Sequence, residues 1–291
     1  MIRKTIALAM AAMTLLATPS WAGDGRAGGK LRLTDGISTV EGSAGGGLAT
    51  WAVIAGEETV NGIGGTAHAT IVALPDFDLE SYGAAVGLWD RVELSYAHQS
   101  FDTRKAGAAL GLGRGFVFAQ DIFGAKVRVL GDALWDQDRW LPQISVGVQH
   151  KVADKQAVIA AVGGRDNQGT DFLVSATKIF LSRGIVAGGT VRWTKANQLG
   201  LLGHGGDASG KRSVQVEASA AKMLSPTLVV GGEFRSKPDN LGFAEEDDAY
   251  DIFAAWSVSR RLTLTAAYVD LGDVATVKSQ RGGLLSLQAA F

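Results

Sequence analysis

Leu284-Leu285-Ser286-Leu287-Gln288-Ala289-Ala290-Phe291 closes the chain, and its reading decides the fold. Leu285, Leu287, Ala289 and Phe291 share one side, and Ser286, Gln288 and Ala290 share the other. Successive strand residues point to opposite faces, so this is a ribbon with one oily side and one polar side. An alternating strand that ends on a terminal aromatic is the closing strand expected of a bacterial outer-membrane β-barrel, its apolar face on lipid and its polar face on a wet lumen.

The same period of two recurs upstream. Leu262, Leu264, Ala266 and Tyr268 oppose Thr263, Thr265 and Ala267. Val214, Val216, Ala218 and Ala220 oppose Ser213, Gln215, Glu217 and Ser219. Val92, Leu94 and Tyr96 oppose Arg91, Glu93 and Ser95. Segments of about ten residues, the length a tilted spanning strand needs, are expected near 48–56, 64–73, 79–89, 91–101, 118–130, 141–151, 171–181, 184–195, 213–223, 227–236, 249–259, 261–270 and 280–291. Tight turns at 89–91, 182–184, 225–226 and 259–261 alternate with longer polar connections at 102–117, 152–170, 196–212, 237–248 and 271–279, which is the barrel layout. The connection at 131–140 breaks that rhythm. Thirteen segments is an odd number, and single-chain bacterial barrels are even. Either 30–40 is a further strand or one of the thirteen is not a strand, so the expectation is an all-β, single antiparallel transmembrane barrel of 12 to 14 strands. A secreted β-sandwich would alternate in the same way but bury its oily faces against each other. Strand-end aromatics at Trp89, Trp193, Tyr250, Trp256 and Tyr268 suit an interfacial girdle instead.

At the N-terminus, Arg3 and Lys4 precede the apolar run Thr5 to Ala17, and Ser20-Trp21-Ala22 offers a cleavage site. Residues 1–22 thus read as a secretory signal peptide. Its removal takes away two positive charges, so the formal net charge moves from −1 to −1 − 2 = −3. Residues 23–47 form a glycine-rich segment, a first strand or an inward-folded plug, and 48–291 the barrel. No stretch carries about 18 consecutive apolar residues, the minimum for a spanning helix, although the chain is 46% hydrophobic with positive mean hydropathy. Glycine, at 39 residues, exceeds the usual roughly 7%, but there is no collagen triplet period. The absence of cysteine excludes thiolate chemistry, and no basic patch supports nucleic-acid binding.

Charges in the polar phase form the main candidate site: Arg192, Glu217, Glu233 and Arg235, and earlier Arg91, Glu93, Lys126 and Arg128. They read either as a constriction that selects solutes or as pairs that fill and brace a narrow lumen. His98 and Ser100, two apart on one strand, point the same way. Together they are a weak catalytic candidate for lipid hydrolysis. His98 continues the oily phase, and the next acid downstream is Asp102. No metal site and no cofactor are expected: His68, His150 and His204 lack ligand spacing. The acidic runs Asp132, Asp136, Asp138 and Glu245 to Asp248 lack a calcium-loop pattern. Gly111-Leu112-Gly113-Arg114-Gly115 lacks the lysine and helix of a phosphate loop.

SYGAAVGLWDRVELSYA at 81–97, TKANQLGLLGHGGD at 194–207, KPDNLGFAEEDDAYD at 237–251 and LTAAYVDLG at 264–272 resemble a proteobacterial family known only as domain of unknown function number three thousand and thirty-four. The resemblance implies a barrel in the outer membrane of a Gram-negative bacterium and supplies no activity or site residue. Leu199, Leu201, Leu202, Leu241 and Phe243 lie in two of these loop stretches, which either fold into the mouth or pack as a lid. The expected function is a channel or uptake pore for small solutes. The alternatives are a closed structural or partner-binding barrel and a lipid-modifying enzyme. Expected partners are outer-membrane lipid, lipopolysaccharide and the barrel-assembly machinery, which would engage the strand ending at Phe291.

Overall fold

The computed structural model describes residues 29–291, so the signal-peptide expectation for 1–22 lies outside the described residues. Twelve antiparallel strands close into one barrel. They are β1 Ile63–Ala73, β2 Asp78–Leu88, β3 Val92–Asp102, β4 Val117–Leu130, β5 Gln143–Ala153, β6 Gln168–Phe180, β7 Ile185–Thr194, β8 Ser213–Ser225, β9 Leu228–Arg235, β10 Ala249–Ser259, β11 Leu262–Asp270 and β12 Arg281–Ala290. Each pairs with its sequence neighbours, and β12 closes on β1 with Ser286 opposite Thr70. Phe291 seals the seam: its N–H donates to the Gly65 carbonyl at 3.0 Å and its carbonyl accepts from the Gly65 N–H at 2.8 Å. Closure leaves no strand edge for another chain to pair with.

The alternation sorts as an outer-membrane β-barrel requires. Val86, Leu94, Val148, Val174, Ile252 and Leu285 face outward and are exposed, whereas Ser95, Gln99, Gln149, Thr265 and Ser286 are buried inside. A sandwich would invert this. Outward aromatics form two belts, with Trp89 and Trp256 near the short-turn end and Trp193, Tyr250 and Tyr268 near the other. Among the described residues no helix is long and apolar enough to cross a membrane.

The long connections 103–116, 154–167, 195–212, 236–248 and 271–280 gather at one end, and the turns 89–91, 181–184, 226–227 and 260–261 at the other. The irregular 131–142 connection belongs to the short-turn end, where Asp132 receives Arg128 at 3.0 Å.

Residues 48–56 are not a strand, so the barrel begins at Ile63 and not at residue 48. Together with 31–47 they fill the lumen, nearly every residue buried. The reason lies in their hydrogen bonds. A barrel strand satisfies its backbone on neighbouring strands; this segment pairs briefly with itself, Ile37–Ser38 against Ala44–Gly45, and satisfies much of the rest on side chains of the wall. Seven of its N–H groups do so: Ser38 to Gln288, Ala44 and Ala55 to Glu93, Leu48 and Ala49 to Glu233, Thr50 to Glu217, and Ala52 to Thr177. Carbonyls follow suit, with Val40 accepting from Ser81 and Gln99, and Ala52 from Gln143 and Ser145. Glycine lets the segment lie close against the wall at residue 46: a Cβ there would lie 1.9 Å from Glu233 Oε1, so the carboxylate that holds Leu48 and Ala49 would have to shift.

Candidate functional site

Glu41 is the centre of the lumen. β9 delivers Arg235, whose fork grips both its oxygens, Nη2 to Oε1 at 2.9 Å and Nη1 to Oε2 at 3.0 Å. β7 delivers Arg192, with Nη2 3.1 Å from Oε2, and β5 delivers Lys151, with Nζ 2.5 Å from Oε1. Around them Arg192 also donates to Glu217 at 2.7 Å, Gln149 at 2.6 Å and Asp171 at 3.1 Å, while Lys151 lies 3.0 Å from Asp171. Thr194 donates to Asp171 as well. The wall brings three cations (Lys151, Arg192, Arg235) and two anions (Asp171, Glu217), a surplus of 3 − 2 = +1. Glu41 cancels it. Burial alone would raise the Glu41 carboxyl, but Arg192, Arg235 and Lys151 outweigh that and hold it well below the usual carboxylate range.

The expected lumen charges are therefore partly redistributed. Arg192, Glu217 and Arg235 converge on one knot. Glu233 stands apart, in no ion pair among the described residues, accepting from Leu48, Ala49, Trp51 and Ser219. Glu93 and Lys126 pair at 3.1 Å and hold Ala44, Trp51 and Ala55 backbone. Arg128 pairs with Asp90 and Asp132 at the short-turn end, where Lys30 joins Asp90 at 2.9 Å. Arg91 is outside the lumen, exposed on the turn, because the strand phase gives way to turn geometry after Leu88.

Sequence reading missed Glu41, Lys151 and Asp171. The last two continue the polar phase of their strands with Gln149 and Ser175 and were legible as such. Glu41 sits among glycines with no periodic signal at all.

Above the knot the loops enclose an apolar chamber of about 260 Å³. Barrel-rim residues Phe77, Leu79, Phe101 and Phe118 form one side, and Leu199, Leu201, Leu202 and Phe243 from the loops form another. These loops thus fold into the mouth. Gln99, Thr103, Gln198 and Lys237 are its polar members. The chamber floor is the roof of the plug: Gln99 donates to Val40, and the Leu199 carbonyl accepts from Lys151 at 2.9 Å. Gln198 and Leu199 hold φ of 43° and 61°, costly for side chains of this size. Glu246 pins that turn by accepting the Gln198 N–H at 2.8 Å. Burial pushes the Glu246 carboxyl up to about 7.

On the outward face near the long-loop end, His98 Nδ1 lies 2.9 Å from Asp121 Oδ1, and Ser100 Oγ lies 3.4 Å from His98 Nε2. Asp121, from β4, also accepts from Tyr96 at 2.8 Å. Asp102, the acid nearest in sequence, instead caps the Arg104 N–H at 2.7 Å. Strand pairing, with Asp121 opposite His98, supplies what sequence distance concealed. Among the described residues no group of three His, Asp or Glu side chains is arranged to hold a metal ion.

The model for the family described as a protein of unknown function, DUF3034, matches residues 34–288. The chain belongs to that family. No curated protein matches it in sequence. Among solved structures, a KdgM porin superposes with a TM-score of 0.50 at 6% identity, covering 78% of this chain and 99% of its own. A NanC porin does so with a TM-score of 0.50 at 9% identity, covering 77% and 98%. At such identities the likeness establishes the porin-like barrel fold of this DUF3034 protein and nothing about its solute.

Proposed function

We propose that this protein is a gated uptake channel for small solutes in the outer membrane of a Gram-negative bacterium, with residues 31–57 as its gate. One observation carries the reading: a chamber at the mouth is stacked directly on a plug within the same lumen. Such a chamber leads through the barrel only when the plug moves. The plug's hydrogen bonds and ion pairs to the wall are contacts that water can replace when the segment withdraws, while the apolar packing of Ile37, Trp51 and Val53 against Ile179, Val229 and Phe253 is what favours the docked state in their place. The long loops would face outward and the short turns the periplasm. The closing strand through Phe291 is the part that would meet the barrel-assembly machinery, and the apolar belt would meet lipid, with lipopolysaccharide around the loop end.

A reversible lock tests this. The Ser38 N–H donates to Gln288 on the wall, and the chain has no cysteine of its own. Cysteines at Ser38 and Gln288 should crosslink under oxidant and abolish conductance in planar bilayers, and reductant should restore it. Equal conductance with the crosslink formed and reduced would refute the gate. No conductance in either state would favour a closed structural barrel.

The Ser100–His98–Asp121 arrangement favours a second reading, an ester hydrolase acting on lipid at the outer face. The order of nucleophile, base and orienting acid is that of a catalytic triad, and a 3.4 Å serine–histidine separation can tighten on substrate binding. Against it, Glu80 lies opposite Ser100 on the adjacent strand, where a developing oxyanion would be repelled. Phospholipid release from vesicles carrying wild-type protein, lost in Ser100→Ala, would establish it. Equal release from both would end it.

A further inference from the structure

The mouth chamber joins an apolar wall to two polar groups with unspent capacity. Gln198 is more than nine-tenths buried and lines the chamber, and its Nε2 has no hydrogen-bond partner. An unsatisfied buried amide is costly unless something completes it. Lys237 is equally buried on the same lining, and its ammonium donates to the Leu271 carbonyl at 3.0 Å. An ammonium has three donors, so others stay available. Both side chains offer hydrogens and want an acceptor. Three carboxylates lie near the ammonium, and each already accepts a backbone N–H, Glu246 that of Gln198, Asp247 that of Asp273 and Asp248 that of Lys237, with none in an ion pair with Lys237 among the described residues. The other two polar lining residues are already engaged, Gln99 donating to the Val40 carbonyl and accepting from Gln120, and Thr103 donating to the Phe116 carbonyl. The remaining lining is aliphatic and aromatic and offers a guest no second charged partner.

We infer that the chamber binds a small amphipathic carboxylate: an apolar body lies against Phe101, Phe118, Leu201 and Phe243, and a single carboxylate head is received by Lys237 and Gln198. This rests on the uptake reading for the direction of travel, and names the class of solute. A sugar or other polyol would leave its hydroxyls unpaired against the wall and is disfavoured. A neutral alcohol of the same chain fills the apolar part but brings the ammonium no charge to pair with directly. The strained Gln198–Leu199 turn lies between guest and gate. The Leu199 carbonyl holds Lys151, which holds Glu41 of the plug, so an occupant that shifts this turn alters a plug contact.

The test is equilibrium binding of labelled octanoate and labelled 1-octanol to the full chain in lipid nanodiscs, corrected for partition into empty discs. Folding of every variant is checked by the shift of its gel migration on boiling. Saturable octanoate binding is expected, at least tenfold weaker in Lys237→Met, with 1-octanol changed less than twofold by that substitution. Leu112→Trp, which fills the chamber from loop 103–116, should weaken both ligands. Absence of saturable octanoate binding in wild type, or octanoate binding as tight in Lys237→Met as in wild type, overturns the inference. Binding is read without permeation. Octanoate bound by a protein that never conducts would therefore sink the channel reading alone, and conductance without octanoate binding would sink only this inference.

Discussion

Replacing Glu41 by glutamine should unseat the plug. The change keeps the shape and removes the one charge that balances the wall. Three cations then face two anions, and the side-chain amide presents hydrogens toward Lys151, Arg192 or Arg235. Breaking a buried ion pair by removing one partner costs about 3–5 kcal/mol. Release of the plug lets water reach the stranded cations, so the lower end applies, about 3 kcal/mol or roughly 100-fold in the docked-to-released ratio. The absence of native cysteine gives a clean assay. Ser175 is buried in the lumen and hydrogen-bonded to the Thr190 hydroxyl, which itself donates to the Thr50 carbonyl of the plug. A cysteine at Ser175 should react with a charged, water-soluble maleimide about 100-fold faster in the Glu41→Gln background, with the gel shift on boiling unchanged. Equal rates in the two backgrounds would mean that the knot does not hold the plug, and the electrostatic account of the gate would fall.

Gly46→Val should act from the opposite side of the contact, because its Cβ would overlap Glu233; the same maleimide rate should rise, and a rate at the wild-type level would show that the segment yields without leaving. The gate should also loosen as pH rises. Burial pushes Asp35 within the gate and Glu58, the residue next to its end, up to about 7, from 3.8 and 4.5, against the pull of Lys30. Carboxyls raised in the docked state favour docking fully below about pH 4, and that contribution is lost as pH climbs through 7. Glu41, held low, stays ionised across this window. Open probability in bilayers should therefore increase from pH 5 to pH 8, and Asp35→Asn with Glu58→Gln should flatten the profile. On the outer surface, Leu285→Arg near the middle of β12 should cost about 2–4 kcal/mol of barrel stability in lipid vesicles by urea titration. A change within error there would argue that this face does not meet hydrocarbon.

Strand after strand could be read from period two because the barrel imposes one rule on every residue: even positions meet one solvent, odd positions another. That rule also fixed which side Glu93, Arg192, Glu217 and Arg235 take. It misread 48–56, where apolar residues such as Trp51, Val53 and Ile54 imitate a strand but lie inside the lumen, and the backbone N–H groups of Leu48, Thr50 and Ala52 find Glu233, Glu217 and Thr177. It likewise passed over Asp121, which meets His98 only because β3 and β4 pair in one register.

The chain's local pattern determined a membrane-type barrel, its belts and its polar interior, since alternation is a property of neighbours in sequence. The tertiary structure decided that the interior is filled, that Glu41 ties three strands together, and that loops far apart in the chain close one apolar chamber. Those facts depend on which distant groups meet once the cylinder has closed, and a charge or a carbonyl carries no mark in sequence of the partner it will find across a lumen.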